Sequence, residues 1–184
     1  MDDESREREP SNTLRARHDA IYATPGLPPF ATYPVVPRVR AGRCPLSELD
    51  VAALAASGIT HLLDLRERHE FEGPRLYGVD AVVSLARHGI TRLSVPIPDA
   101  RAPSPAQLTL AVEWLRTTLS LAESRVYVHC RAGVERTGTI LLAWYALERD
   151  LPIREALAEL RAKAPMVRPL PHQVEAARAW LAGR

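Results

Sequence analysis

The chain has 184 residues, 46% of them hydrophobic, which is enough length and apolar content for one domain with a sizeable core. Its formal net charge is only +2, which argues against nucleic acid or an anionic membrane as the principal partner. No apolar run approaches the ~20 residues of a membrane span, and the opening sequence MDDESREREP is unlike a signal peptide, so we expect a cytoplasmic protein.

Residues 1–37 are predicted to form a flexible or extended N-terminal arm, and residues 38–184 the folded domain. The arm is first charged and then rich in proline, which fixes the backbone and cannot donate a hydrogen bond. Its later prolines are Pro25, Pro28, Pro29, Pro34 and Pro37.

Helices and strands are predicted to alternate in the next part of the chain. Residues 46–57 have a helical pattern that ends at Gly58, a residue type common after helix C-termini. The apolar run at 59–65 predicts a strand, 78–88 is predicted to be helical, and 90–95 predicts a further strand.

A proline-rich loop with a single carboxylate follows that strand. Its sequence is PIPDARAP at 96–103, and Asp99 is its only acidic residue. Aspartate beside proline is common in turns, so one interpretation of Asp99 is a turn former. Ser104 and Pro105 then suit the N-cap and first position of a helix. The apolar residues of that helix repeat at helical spacing and are predicted to be core: Leu108, Ala111, Val112, Leu115 and Leu119.

The most specific motif is HCRAGVERTG at 129–138, in which Cys130 stands six positions before Arg136. It lies between a strand predicted at 126–128 and a long apolar helix. A loop that runs into a helix N-terminus binds anions with its backbone N–H groups, helped by the helix dipole. The same field favours the thiolate, which is the nucleophilic form of cysteine. We therefore predict a phosphate-binding loop that carries a cysteine nucleophile.

The other residue types of the motif also suit an anion site. Arg136 offers a planar fork that matches two phosphate oxygens, and Thr137 brings a hydroxyl within reach of Cys130. Gly133 and Gly138 allow backbone conformations and close approaches that a side chain would obstruct. The residues predicted to bind phosphate are Arg131, Ala132, Gly133, Val134, Glu135 and Arg136.

Three helical patterns follow the motif. The first is apolar around most of its circumference, which predicts a buried central helix. The apolar residues of the other two are Ile153, Ala156, Leu157 and Leu160, and then Val174, Ala177, Trp180 and Leu181. Helices interleaved with short strands predict an α/β fold. We expect a central, mostly parallel sheet flanked by helices, with the phosphate loop at the C-terminal end of a strand and before the buried helix.

The motif resembles the signature loop of the cysteine-dependent protein tyrosine and dual-specificity phosphatases, in which His-Cys, five residues, Arg and then Ser or Thr form the phosphate loop. The resemblance spans roughly Val39 to Trp180 and implies the fold of that superfamily, with an opening strand at 39–43. It implies that Cys130 is the nucleophile, Arg136 the phosphate clamp and Thr137 the hydroxyl that follows it.

The resemblance also implies a general acid, since the leaving oxygen of a phosphomonoester needs a proton. Relatives present this acid from a mobile loop upstream of the cysteine, and Asp99 resembles it. Asp99 would protonate the leaving group and later act as base in hydrolysis of the phospho-cysteine, with an optimum on the acidic side of neutral. Other acids stay open for this role: Asp64, Glu67, Glu70 and Asp80.

Second-rank candidates are His129, Arg168 and Gln173. Relatives carry an arginine–proline step and then a glutamine in the region of MVRPLPHQ at 166–173, and in some of them the glutamine positions the hydrolytic water. The alternative is a helix start whose glutamine faces solvent.

Two loop positions depart from better-known variants. Glu135 places a negative charge beside the pocket for a dianion, so we expect it to face solvent, orient Arg136 or pair with Arg131. Phosphoinositide-selective relatives often carry lysine where this chain has Val134, which weakens the case for an inositol lipid. The resemblance favours a phosphorylated protein as substrate. A small phosphorylated metabolite, an inositol lipid, a catalytically weak phosphate-binding module and, less favoured, a sulfurtransferase stay open.

No metal and no cofactor are expected, because the six histidines have no paired metal-ligand spacing and the two cysteines lie far apart. Two cysteines, one of them a nucleophile, favour a reducing compartment. Cys44 is either an ordinary buried thiol or, as in some relatives, a partner for a reversible disulfide with Cys130. Lys163 is the only lysine among many arginines, which is typical of GC-rich bacterial genomes.

Overall fold

A five-stranded sheet forms the centre of the protein. The computed structural model describes residues 15–16, 19–20, 23, 30–70 and 78–184, with only the backbone at 78–82. The strands are β1 (Thr32–Val36), β2 (Val39–Gly42), β3 (His61–Asp64), β4 (Thr91–Ser94) and β5 (Val126–His129). Their order across the sheet is β1-β2-β5-β3-β4.

Strand pairing is parallel everywhere except at one edge. β5 pairs in parallel with β2 and β3, and β3 pairs in parallel with β4, while β1 and β2 are antiparallel. The predicted mostly parallel sheet is therefore confirmed. In this register Gly42 and Asp64 both lie opposite His129, so β2, β3 and β5 end side by side. Their carboxyl ends form one edge of the sheet, at right angles to the edge made by β1. Parallel α/β sheets place their ligands at this edge.

Strand β1 corrects the predicted N-terminal arm. The arm was expected to run to residue 37, but Thr32–Val36 is a strand that includes Pro34. A proline is compatible with a strand at the edge of a sheet, where its missing N–H need not serve a neighbour. The pairing also becomes irregular between Pro34 and Val36. The arm before residue 30 lies almost entirely outside the described residues.

Six α-helices lie in the described residues from 30 onward. They are α1 (Glu48–Ala56), α2 (Gly78–Arg87), α3 (Pro105–Ser120), α4 (Glu135–Arg149), α5 (Ile153–Lys163) and α6 (Pro171–Ala182), and a short 3-10 helix covers Arg68–Glu70. Capping fixes the start of α3, since Ser104 Oγ accepts from the N–H of Gln107 while Pro105 occupies the first turn, as predicted. No described helix is both long and apolar enough to cross a membrane.

The sheet separates two hydrophobic clusters. One cluster joins α1 and α2 to Leu62 and Tyr127, and the other joins α3 to α6 to Val126 and Val128. Helix α4 lies inside the larger cluster, and every residue from 136 to 146 is buried, which confirms the predicted central helix. The loop that precedes α4 is therefore mounted between a central strand and a central helix.

Candidate active site

The phosphate loop connects the last residue of β5 to the first turn of α4. Cys130 follows β5 directly and is 3% exposed. The α4 N-terminus has no side-chain cap, and within the described residues no N–H from Arg131 to Thr137 donates a hydrogen bond. Unpaired N–H groups at a helix start are the donors that bind anions. The loop can therefore offer its main chain to a phosphate group.

Close contact with β2 shapes this loop. Gly133 has a φ of +76°, and a Cβ atom there would lie 2.0 Å from the carbonyl oxygen of Gly42. Tyr33 donates its hydroxyl hydrogen bond to the Gly133 carbonyl, and the Cys44 N–H donates to the Arg131 carbonyl at 3.1 Å. Strands β1 and β2 thus hold the outer side of the loop, which the sequence motif alone did not indicate.

Arg136 is buried and held in a fixed orientation. Its Nη1 and Nη2 donate to the two carboxylate oxygens of Glu70 at 2.6 and 2.8 Å, and Nη1 also donates to the Ile97 carbonyl at 3.0 Å. The Asp99 carboxylate lies 2.9 Å from Nη2. Burial opposes the charge, but Glu70, Cys130 and Asp99 outweigh it and raise the pKa of Arg136 above its ordinary value. Glu70, Ile97 and Asp99 together use the four Nη hydrogens, so in the described chain the Nε–H is left for a phosphate oxygen. If the exposed Asp99 carboxylate moves away, Nη2 and Nε can bind two phosphate oxygens side by side.

The proline-rich loop brings Asp99 to this arginine. The Asp99 side chain is 61% exposed, so it can reach a ligand as well as Arg136. The loop is fastened to the start of α6, because His172 Nε2 lies 2.9 Å from the Ala100 carbonyl and Gln173 Nε2 donates to the Arg101 carbonyl at 2.9 Å. The predicted acid and the predicted clamp are therefore neighbours.

Asp64 has a different environment from Asp99. It is fully buried, and its two oxygens accept from Arg66 Nε and Nη2 at 3.0 and 2.8 Å, while Arg92 Nη2 donates at 2.9 Å. Burial alone would raise its pKa, but His129 and the two arginines reverse that effect and lower the pKa of Asp64. A carboxylate that stays ionised and enclosed cannot donate a proton to a substrate, so this alternative general acid is disfavoured.

The other alternative acids also have different roles. Glu70 holds Arg136, and its pKa falls because the Arg136 and Glu67 hydrogen bonds outweigh burial. Glu67 accepts from the Asp99 N–H at 3.3 Å and so supports the proline-rich loop at 96–103, which we call the acid loop. The Asp80 side chain lies outside the described residues. The sequence pattern offered Glu70 only as an acid and gave no sign of its contact with Arg136.

His129 supports the peptide bond after Cys130. Its Nδ1 lies 2.9 Å from the Cys130 carbonyl, and because a carbonyl only accepts, Nδ1 carries the hydrogen. Burial lowers the pKa of His129 to about 4, although the Asp64 carboxylate acts in the opposite direction. The ring is therefore neutral at neutral pH and orients the loop rather than transferring protons.

The two threonines of α4 differ in their contacts. Thr137 Oγ1 is buried and has no hydrogen-bond partner in the described part of the chain. Thr139 Oγ1 donates to the Glu135 carbonyl at 2.8 Å and to Gln173 Oε1 at 3.2 Å. The Thr137 hydroxyl thus has its hydrogen-bonding capacity available, and its role toward the Cys130 sulfur stays a prediction.

Gln173 and Arg168 lie in different environments. Gln173 is fully buried, and its Oε1 accepts from Thr139 and from the Leu170 N–H. Its Nε2 donates to the Arg101 carbonyl, so the Gln173 amide links α4, α6 and the acid loop. The side chain therefore does not face solvent. The exposed side chain of Arg168 donates from Nε to the Pro165 carbonyl. Within the described residues, the contact of Arg168 with the phosphate loop is made by its backbone N–H.

Glu135, Arg131 and Cys44 complete the set of predicted residues. Glu135 is half-buried in the first turn of α4, where a negative charge complements the helix dipole. Arg131 is exposed, and the described residues include no ion pair between it and Glu135. Cys44 is a buried free thiol, and burial raises its pKa.

Comparisons with known proteins agree with this geometry. Residues 41–149 match the family described as "Polymorphic toxin system, DSP-PTPase phosphatase". Dual specificity protein phosphatase 21 of Homo sapiens is 27% identical over 88 residues, covering 48% of this chain and 46% of that protein. Phosphatidylglycerophosphate phosphatase PTPMT2 of Arabidopsis thaliana is 29% identical over 120 residues, covering 64% and 49%. The chain thus spans about half the length of these curated relatives.

One solved structure is similar to this protein over most of the length of both chains. The crystal structure of Tk-PTP in the active form has a TM-score of 0.70 and 27% sequence identity, and the match covers 83% of this chain and 97% of that chain. The two proteins therefore share their fold over most of this chain.

The contact between Gly133 and Gly42 predicts a sharp intolerance to substitution. Gly133→Ala would force its Cβ against backbone, so we expect vanadate binding to fall by about tenfold or more. Gly89→Ala is the matched control, because Gly89 also has a positive φ of +68° but has open space around its Cβ position. Isothermal titration with vanadate should show normal affinity for the control. Equal affinities for both variants would contradict the proposed packing.

Burial of neutral His129 predicts a pH-dependent stability. Its pKa is about 4 when folded, against 6.5 ordinarily, so the unfolded chain binds the proton more tightly. The contribution is complete above pH 6.5 and is lost as the pH falls toward 4. We expect the free energy of unfolding to fall by up to about 3 kcal/mol over this range.

Urea denaturation at each pH measures this change. His129→Gln should remove that part of the pH slope, whereas His69→Gln, at an exposed position, should keep it. An unchanged slope in His129→Gln would mean that another group titrates.

Proposed function

Because this chain belongs to the DSP-PTPase phosphatases described for polymorphic toxin systems, we propose that it is a phosphomonoester hydrolase of the protein tyrosine and dual-specificity type. The observation that carries the proposal is one arrangement: Cys130 lies at the start of a loop with free N–H groups, beside an arginine fork fixed by Glu70. Such a loop both binds a phosphate and favours a thiolate.

In the first proposed step, the Cys130 thiolate attacks phosphorus in line with the leaving oxygen. An S–P bond forms as the P–O bond to the substrate breaks. Arg136 and the loop N–H groups stabilise the charge on the three other oxygens. Asp99 gives its proton to the leaving oxygen, and its exposed position next to Arg136 supports this role.

In the second step, water hydrolyses the phospho-cysteine. Asp99, now a carboxylate, takes a proton from the water as its oxygen attacks phosphorus. The S–P bond breaks, and the Thr137 hydroxyl stabilises the departing thiolate of Cys130. Inorganic phosphate leaves and the starting protonation states return. The step needs only residues of this chain and water.

The favoured substrate is a phosphorylated protein. The name of the Arabidopsis relative supports an alternative, which is the phosphomonoester of a glycerol lipid or another small phosphorylated molecule. The neutral Val134 in the loop supports the protein substrate over a polyphosphorylated inositol lipid. Since the nucleophile must stay a thiol, we also propose a reducing compartment such as the bacterial cytoplasm.

Turnover of p-nitrophenyl phosphate tests the proposed activity. Wild type should hydrolyse it between about pH 5 and 7 in the presence of EDTA, with inhibition by vanadate, because the reaction uses side chains of the chain alone. Cys130→Ser should abolish turnover, whereas the matched variant Cys44→Ser should retain it. If wild type binds vanadate but its turnover does not exceed that of Cys130→Ser, the chain is instead a catalytically weak phosphate-binding module.

Leaving-group dependence tests Asp99. Asp99→Asn should slow hydrolysis of alkyl phosphates by about 10²-fold or more, because a poor leaving group needs the proton. Hydrolysis of p-nitrophenyl phosphate should slow far less. Steady-state kcat for both substrates measures the difference, and Asp150→Asn, at an exposed position after α4, is the control. Equal slowing of both substrates would point to another acid.

A further inference from the structure

Three exposed arginines lie on the phosphate loop and on the two loops that contact it or its neighbouring helices. Arg101 is on the acid loop, Arg131 on the phosphate loop and Arg168 on the connection between α5 and α6. We call these three residues the basic rim. In the described part of the chain none of them pairs with a carboxylate, and the only side-chain bond among them runs from Arg168 to the Pro165 carbonyl.

The backbone of each rim residue is fastened to the site. The Arg131 carbonyl accepts from the Cys44 N–H at 3.1 Å, and the Arg101 carbonyl accepts from Gln173 Nε2 at 2.9 Å. The Arg168 N–H donates to the Val134 carbonyl at 3.4 Å. The three side chains therefore extend from fixed positions around the phosphate loop.

The charge inside the site gives the basic rim its importance. Arg136 interacts with the nucleophile, and its charge is already balanced by the buried carboxylate of Glu70. A Cys130 thiolate adds a further negative charge. The helix start offsets only about half a charge. Positive side-chain charge that is free for a ligand therefore lies on the basic rim.

We propose that the basic rim binds a second negative charge on the substrate, so that the preferred substrate is a phosphopeptide with aspartate or glutamate near the phosphorylated residue. This inference rests on the proposed function and specifies the substrate of that site. An extended peptide advances about 3.3 Å per residue, so acidic residues within about three positions of the phosphate reach the surrounding loops.

A peptide fits this surface better than a membrane does. Proteins that bind lipid surfaces combine basic residues with apolar side chains that enter the bilayer. The large apolar residues that are exposed in the described chain are Val83, Leu110, Leu121 and Met166. Only Met166 is close in sequence to a residue of the basic rim. Among the described residues the rim therefore has one exposed large apolar neighbour in sequence, Met166, and no group of them.

Two phosphotyrosine peptides test the proposal. They share one sequence, except that aspartate and glutamate beside the phosphotyrosine in the first become asparagine and glutamine in the second. Wild type should prefer the acidic peptide in kcat/KM by on the order of tenfold, and each of Arg101→Gln, Arg131→Gln and Arg168→Gln should lower that preference by roughly two- to fivefold. The triple variant should show almost no preference.

Matched controls identify the source of the preference. Arg154→Gln removes an exposed arginine of α5 that has no ion pair in the described chain, and it should keep the wild-type preference. Raising the salt from about 0.05 to 0.5 M should reduce the preference of wild type, because exposed charges are screened. An equal preference in wild type and the triple variant would overturn the proposal.

Binding to Cys130→Ser separates this inference from the proposed activity. Fluorescence anisotropy gives the affinity ratio of the two peptides without turnover, and the same variants can be made in that background. A rim-dependent ratio supports the inference even if wild type hydrolyses nothing, which would defeat only the proposed activity. Rim-dependent binding to phosphatidylcholine vesicles containing a phosphorylated inositol lipid, with no peptide preference, would overturn it.

Discussion

Burying the guanidinium of Arg136 is expensive unless a partner compensates its charge. Glu70 does so with two hydrogen bonds, and this one ion pair connects parts of the chain that are far apart in sequence. It fixes the short 3-10 helix beside the first turn of α4. The Ile97 carbonyl binds the same group, so the acid loop is anchored there too. The acid loop and the short 3-10 helix are thus both attached to the buried guanidinium of Arg136.

Environment gives the carboxylates of the site separate roles. Asp64 is enclosed by two arginines and a neutral histidine, and it supports the floor of the phosphate loop. Asp99 is mostly exposed, and its contacts within the described residues are those of its backbone and its ion pair with Arg136. The first group is stable because it is fully paired, whereas the second can exchange partners. A group that transfers protons must be able to change partners, as Asp99 can. A carboxylate that supports the loop must keep its partners, as Asp64 does.

Local patterns in the sequence predicted much of this molecule. The spacing of Cys130 and Arg136 located the loop, and the Ser104 cap and the apolar pattern of α4 predicted the flanking helices. Glu70 was missed as a partner because its contact with Arg136 depends on tertiary packing, which no local period records. Pro34 suggested irregular chain, yet an edge strand tolerates it. For Gln173 the sequence left a site role and a solvent-facing helix start open, and the second is excluded because contacts with three elements bury its amide.

The contact between β2 and the phosphate loop extends the site beyond its chemistry. Gly42 touches no substrate in the proposed reaction, yet a Cβ there would lie 2.4 Å from the Ala31 carbonyl oxygen and 2.5 Å from the Tyr127 hydroxyl. Evolution can therefore vary the rim of this pocket much more freely than its floor. Substrate preference can change between relatives while the strand beneath the loop keeps its glycine.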